Sequence, residues 1–152
     1  MILDKIVMEN FRQFKGKQSL ELSDLSQRNV TIVHAENGAG KTTILKAVLW
    51  GLYGHDGLRD DFEQSSNIIH EGLAHGCKTP DSLAASVTLH FRHGASERYV
   101  LTRSLTLAQQ KKDSTKTDVL LEVMKGGQTF KENKPQQKIY ELIPIGISAF
   151  LF

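Results

Sequence analysis

The stretch Ala35-Glu-Asn-Gly-Ala-Gly-Lys-Thr42 holds the residue types and spacing that could do chemistry. It matches the Walker A pattern, with Ala35 where the pattern usually has its first glycine. Gly38 and Gly40 let the backbone curl so that successive N–H groups face phosphate oxygens. A helix opening at such a loop aims its positive end at the same anion. Lys41 adds a point charge beside the β- and γ-phosphates, and Thr42 offers a hydroxyl to Mg²⁺. The expected ligand is MgATP, and Lys41 is the residue on which phosphoryl transfer would depend. Alanine permits most of the same geometry at position 35, so that departure leaves the expectation standing.

Such a loop works only between a strand that leads in and a helix that leads out. Val30-Thr-Ile-Val33 is a β-branched run and reads as a short buried strand. From Thr42 to Tyr53, Ile44, Leu45, Val48, Leu49 and Leu52 recur at helical spacing, with Trp50 in the core, and Gly54 is placed to stop the helix.

Upstream, Ile2 to Met8 reads as a strand, Lys15-Gly-Lys17 as a turn and Ser19 to Leu22 as the returning strand, followed by a polar loop over Asp24 to Asn29. Residues 55 to 80 predict loop with one short helix. Downstream the period becomes two. Val87, Leu89 and Phe91 share one face, and Tyr99, Leu101, Arg103 and Leu105 share another. Gln109 to Thr117 predicts a charged, mobile loop. Val119 to Val123 is a strand, Gly126-Gly127 a turn, and Thr129-Phe130 a short return. Pro135 opens a helix that Pro144 ends. The order predicts an α/β P-loop fold with a mixed or antiparallel sheet beside the P-loop helix.

Composition bounds the class. The chain has 152 residues, 39% hydrophobic and 24% charged, enough for one cored domain. A net charge of +2 is too mild to argue for nucleic acid and leaves it open. The single Cys77 fits a reducing compartment. The charged start has no signal-peptide character, and no run reaches the roughly 20 apolar residues of a membrane span. The expectation is a cytoplasmic protein without a membrane partner. The chain ends in the apolar run Ile147-Ser-Ala-Phe-Leu-Phe152, which suggests that a longer polypeptide continues past it.

Two groups of residues resemble a known family. Leu3-x-x-Ile-Val-Met-Glu-Asn-Phe-Arg-Gln-Phe14, followed by Glu-Asn-Gly-Ala-Gly-Lys-Thr-Thr43, resembles the start of the SMC and SbcC-type ABC ATPases. Ala47-Val-Leu-Trp-Gly-Leu-Tyr-Gly54 resembles that family's first helix and its exit. Within the family the chain looks most like the DndD ATPases of DNA phosphorothioation systems, whose stretch before a Phe-Asp-Gly-Glu segment is similar to Ala-Phe-Leu-Phe152.

The resemblance implies the first lobe of a split nucleotide-binding head, occupying residues 1–152. Arg12 would approach the phosphates and Asn37 the γ-phosphate. Gly38, Ala39, Gly40, Lys41, Thr42 and Thr43 would form the cradle. No Walker B run, signature motif or coiled-coil heptad occurs in this sequence. A C-terminal half would supply the Walker B carboxylates, and a second protomer in a head-to-head dimer would supply the signature. DNA and other DNA-modification proteins are the implied partners, in modification, restriction or repair.

Rival readings have their own discriminators. A transporter-type ABC subunit would also begin with strands and a P-loop, but lacks the Asn-Phe-Arg-x-Phe run. A nucleotide-gated interaction module without enzymatic activity would have a native mass near 17 kDa, and a fragment's parent several-fold more.

Other candidates read as structure. Lys125-Gly-Gly-Gln128 imitates the ABC signature but lacks its serine and follows a strand, so it reads as a hairpin turn. His70, His75 and Cys77 are too few for structural zinc, and His90 and His93 fall on opposite faces of a strand. Lys111, Lys112 and Lys116 read as a solvated basic loop able at most to touch a DNA backbone. Phe14 is a candidate to stack on adenine.

Overall fold

In a computed structural model of the chain, residues 1–22, 30–58, 67–94 and 97–145 are described. Among them, six strands form one antiparallel sheet in the order β2-β1-β3-β4-β5-β6. The strands are β1 (Ile2–Glu9), β2 (Lys17–Glu21), β3 (Ala84–His93), β4 (Glu97–Thr106), β5 (Asp118–Lys125) and β6 (Gln128–Lys131). Strand alternation gives the sheet one apolar face. Ile6 and Met8 of β1, Val87, Leu89 and Phe91 of β3, Leu101 and Leu105 of β4, and Leu121 of β5 are all buried there. Helix α1 (Lys41–Tyr53) lies against β3 and β4 on this face. Trp50, Leu52 and Ala47 complete the core.

The short helix expected between residues 55 and 80 is α2 (Glu71–Gly76), flanked by 3-10 turns at Gly54–Leu58 and Pro80–Ser82. Lys125-Gly-Gly-Gln128 is a hairpin turn joining β5 to β6, with Lys125 paired to Gln128. Pro135 opens α4 (Pro135–Leu142) as its sequence predicts.

Two expectations are corrected. Val30 to Val33 is not a strand. Val30 is 79% and Ile32 85% exposed, and neither joins the sheet. β-branched residues favour extended backbone, but a strand needs a neighbour to bond, and the described residues offer none here. The Gln109–Thr117 loop is in part a helix, α3 (Leu107–Asp113). Thr106 caps it. Its hydroxyl accepts from Gln109 N–H at 3.2 Å, and the Gln109 side chain accepts from Thr106 N–H at 2.7 Å. This Thr-x-x-Gln capping box was legible and outweighs the polar composition. Lys111 and Lys112 sit in its last turn, where they complement the helix dipole, and Lys116 pairs with Asp113 at 3.7 Å. The polar loop at 24–29 and the terminal run at 147–152 lie outside the described residues.

Candidate nucleotide-binding site

The connection after β1 is a built corner. Asn10 takes a left-handed backbone (φ 51°), and its side chain donates to Ala84 O at 3.0 Å and accepts from Gly16 N–H at 3.0 Å. Arg12 shares the positive φ of 51°, which is uncommon for a residue with a side chain. The residues around 68–70 hold this conformation. Arg12 N–H donates to Ile68 O at 2.7 Å, His70 N–H donates to Asn10 O at 2.8 Å, and Phe11 bridges to Ile69. Phe11 is fully buried against Trp50 of α1, with ring centroids 5.5 Å apart. Gln110 of α3 accepts from the N–H groups of Ile68 and Ile69 at 3.0 Å each. The corner is thereby fixed to the sheet, to α1 and to α3.

The glycine loop lies beside it. Ala39 N–H closes a turn on Glu36 O at 3.2 Å. Gly40 is the N-cap of α1 at φ 105°, and Ile44 N–H makes the helix's first bond back to Gly40 O at 3.0 Å. The N–H groups of Lys41, Thr42 and Thr43 precede that bond. Gly40 has no side chain to cap them, and the first turn carries no acidic residue. This end of α1 therefore presents donors and a positive dipole to an anion. The Lys41 ammonium folds back on the loop, donating to Ala35 O at 2.6 Å and Glu36 O at 2.8 Å. Asn37, Gly38, Ala39 and Thr42 are exposed, whereas Thr43 is buried.

The structure brings Arg12 and Thr43 to the rim of one cleft of about 420 Å³, with Gln13, Asn67, His70 and Glu71. Of these, the motif and the resemblance had pointed to Arg12 and Thr43. Gln13 comes with Arg12 in the corner, whereas Asn67 and His70 carry no motif signal, because the fold of residues 67–72 over the corner brings them there. The Nδ1 of His70 is buried with no hydrogen-bond partner. Phe14 is partly buried and faces Gly40, where a Cβ would meet its ring at 2.6 Å. It packs on the loop backbone.

The remaining candidates lie elsewhere. His75 pairs with Glu71 at 3.4 Å, and Cys77 Sγ donates to Thr79 O. Among the described residues, no cluster of metal-ligating side chains gathers. His90 lies in β3, where burial, with Lys5 nearby, lowers its pKa below the usual imidazole value.

A family model described as an AAA domain matches residues 5–149. Arcadin-4 of Pyrobaculum calidifontis is 30% identical over 71 residues, which is 46% of this chain and 8% of that protein. The match thus spans less than a tenth of that relative's length. The SMC head domain from Thermotoga maritima has a similar fold, with a TM-score of 0.56 at 20% identity over 93% of this chain and 41% of that one.

Proposed function

The chain belongs to the AAA-domain family, a family of nucleotide-binding ATPase domains, and from that premise we propose that residues 35–43 hold the phosphates of MgATP. The observation that carries the reading is the open end of α1, with three N–H groups, no capping side chain and Lys41 on the spot. The Lys41 bonds to Ala35 O and Glu36 O are exposed and exchangeable for phosphate oxygens. Thr42, exposed beside Lys41, has the hydroxyl that Mg²⁺ would take. Arg12, which lines one cleft with Thr43 of the first turn of α1, would add a second cation. These residues fit a triphosphate and its metal. The bound metal would supply charge neutralisation for phosphoryl transfer, and the chain's own groups would bind and orient the phosphates.

The chain is best read as the first lobe of a split head. The exposed Val30, Ile32 and Val33 support this, since a strand from a companion half would cover them. The 41% share of the SMC head spanned by the fold supports it too. The companion half would bring the Walker B carboxylates, and a second protomer the signature motif. In our reading the whole protein is a cytoplasmic, SMC-like ATPase of the DndD kind, coupling hydrolysis in a head-to-head dimer to DNA modification, restriction or repair. No helix among the described residues is long and apolar enough to cross a membrane.

Calorimetric titration of MgATP into this chain and into Lys41→Ala tests the site. The expected result is binding at least about tenfold weaker in the variant, a loss of about 1.4 kcal/mol. Equal binding by both would place the site elsewhere. The chain alone is expected to hydrolyse ATP negligibly, and a turnover near one per second that Lys41→Ala abolishes would refute the split-head reading.

A further inference from the structure

One side chain of the Asn10–Phe14 corner reaches the glycine loop with both of its polar atoms. Gln13 Nε2 donates to Gly38 O at 3.2 Å, and Gln13 Oε1 accepts from Thr43 Oγ1 at 2.6 Å. Gly38 lies within the loop and Thr43 in the first turn of α1, so a single amide bridges the two sides of the bend between them. The corner behind it is rigid. Phe11 is anchored against Trp50, and Asn10 is bonded to Ala84 and Gly16. Contact at Gly40 is also close, where a Cβ would lie 2.8 Å from Gln13 Nε2.

We infer that Gln13 is a positioning residue that sets the curvature of the glycine loop before any nucleotide arrives. The inference rests on reading residues 35–43 as the phosphate cradle. A glycine-rich loop loses more conformational entropy on ordering than any other backbone, and binding is weakened by whatever ordering remains to be done. Gln13 does part of that ordering in the free chain. It turns the Gly38 carbonyl toward the corner and ties the Thr43 hydroxyl down, which ties the loop to the start of α1. The bridge needs a donor and an acceptor on one side chain of this length, and an amide has both. A carboxylate at position 13 would keep the acceptor, lose the donor and repel phosphate.

Gln13→Met keeps the length of the side chain and removes both bonds. Amide hydrogen exchange of the ligand-free chain is the primary readout. The Ala39 and Ile44 N–H groups, which bond Glu36 O and Gly40 O, are expected to exchange about fivefold faster, with β3 and β4 unchanged. MgATP affinity should fall by a similar factor at an unchanged unfolding midpoint. Gln18→Met, which removes a bond to Lys15 O in the same hairpin, should alter neither. Unchanged exchange at Ala39 and Ile44 overturns the assignment. Faster exchange across β3 and β4 as well also overturns it, since Gln13 would then be a general stabiliser. Intact MgATP binding in Lys41→Ala would sink the cradle reading instead, while the exchange of the ligand-free chain still decides whether Gln13 holds the loop.

Discussion

The two ends of α1 are built in opposite ways. At its C-terminal end the chain satisfies its own groups. Arg103, 3% exposed, reaches in from β4. Its Nε donates to Gly51 O at 3.1 Å and its Nη2 to Leu52 O at 3.3 Å. Thr117 Oγ1 and Gln136 Oε1 accept the remaining guanidinium bonds. Burial pulls the Arg103 pKa down to about 10, against the opposing pull of Tyr140 and Asp56, so it stays charged at neutral pH. Tyr53 stacks on Tyr140 of α4 at 6.1 Å and donates to Ile143 O at 3.2 Å. At the N-terminal end the helix begins on a glycine with no capping side chain, and the bonds of Lys41 to the loop and of Gln13 to Gly38 are exposed. The difference teaches where function can sit. A terminus closed by protein groups anchors, and a terminus left open is available to a ligand.

Breaking the anchored end should have the largest effect. Arg103→Met leaves the Gly51 carbonyl, Thr117 and Gln136 Oε1 without their shared donor, takes one of two donors from the Leu52 carbonyl, which keeps Gln136 Nε2 at 3.1 Å, and should cost about 3 kcal/mol in urea unfolding. A loss below about 1 kcal/mol would mean that the carbonyls find other donors and that the contrast between the ends is weaker than drawn. Gly40→Ala attacks the open end by putting a side chain at φ 105° against Phe14. It should cost about 2 kcal/mol and displace the loop, seen as a drop in MgATP affinity larger than the stability loss accounts for. Thr106→Ala removes the capping box of α3, which carries Gln110 and through it residues 68 and 69. About 1 kcal/mol is expected, with faster exchange at the Ile68 and Ile69 amides.

Alkaline titration adds a test of the buried tyrosines. Burial, followed by the hydrogen bond to Glu97, raises the Tyr99 pKa from 10.0 to about 12. Burial, with Tyr140 adding to it, raises that of Tyr53 as well. The unfolded chain therefore releases these protons first, so the stability Tyr99 contributes is complete below pH 10.0 and is lost as pH rises toward about 12, and that of Tyr53 is likewise lost on the alkaline side. Tyr99→Phe should flatten the fall in unfolding midpoint across that window, and a curve of unchanged slope would contradict the assignment. The smallest effect belongs to Lys41→Ala. Its exposed bonds to Ala35 O and Glu36 O should be worth under about 0.5 kcal/mol of stability. A large stability loss there would make Lys41 a structural residue and erase the comparison.

Much of the candidate site was legible in one dimension. Gly38, Gly40 and Lys41 are named by the motif, and the periodicity of Ile44 through Leu52 fixed the helix behind them. Alternation also put Arg103 on the apolar face of β4, though not what it does there. What misled was local preference without its partner. Val30 to Val33 has strand composition, yet a strand exists only when another backbone bonds to it. The Gln109 region has loop composition, yet its capping box closes a helix.

By itself the sequence determined the strands of the sheet, the helix after the glycine loop and the ATPase class to which they point, because these depend on the backbone freedom of glycine and on the two- and 3.6-residue periods. The tertiary structure alone decided that Gln13 bridges Gly38 to Thr43, that His70 and Asn67 line the cleft beside Arg12, and that Arg103 closes the far end of α1. The Gln13–Gly38 and Arg103–Gly51 bonds alone span 25 and 52 positions, and no local pattern encodes which distant carbonyl or hydroxyl a side chain will meet once the sheet has folded against the helix.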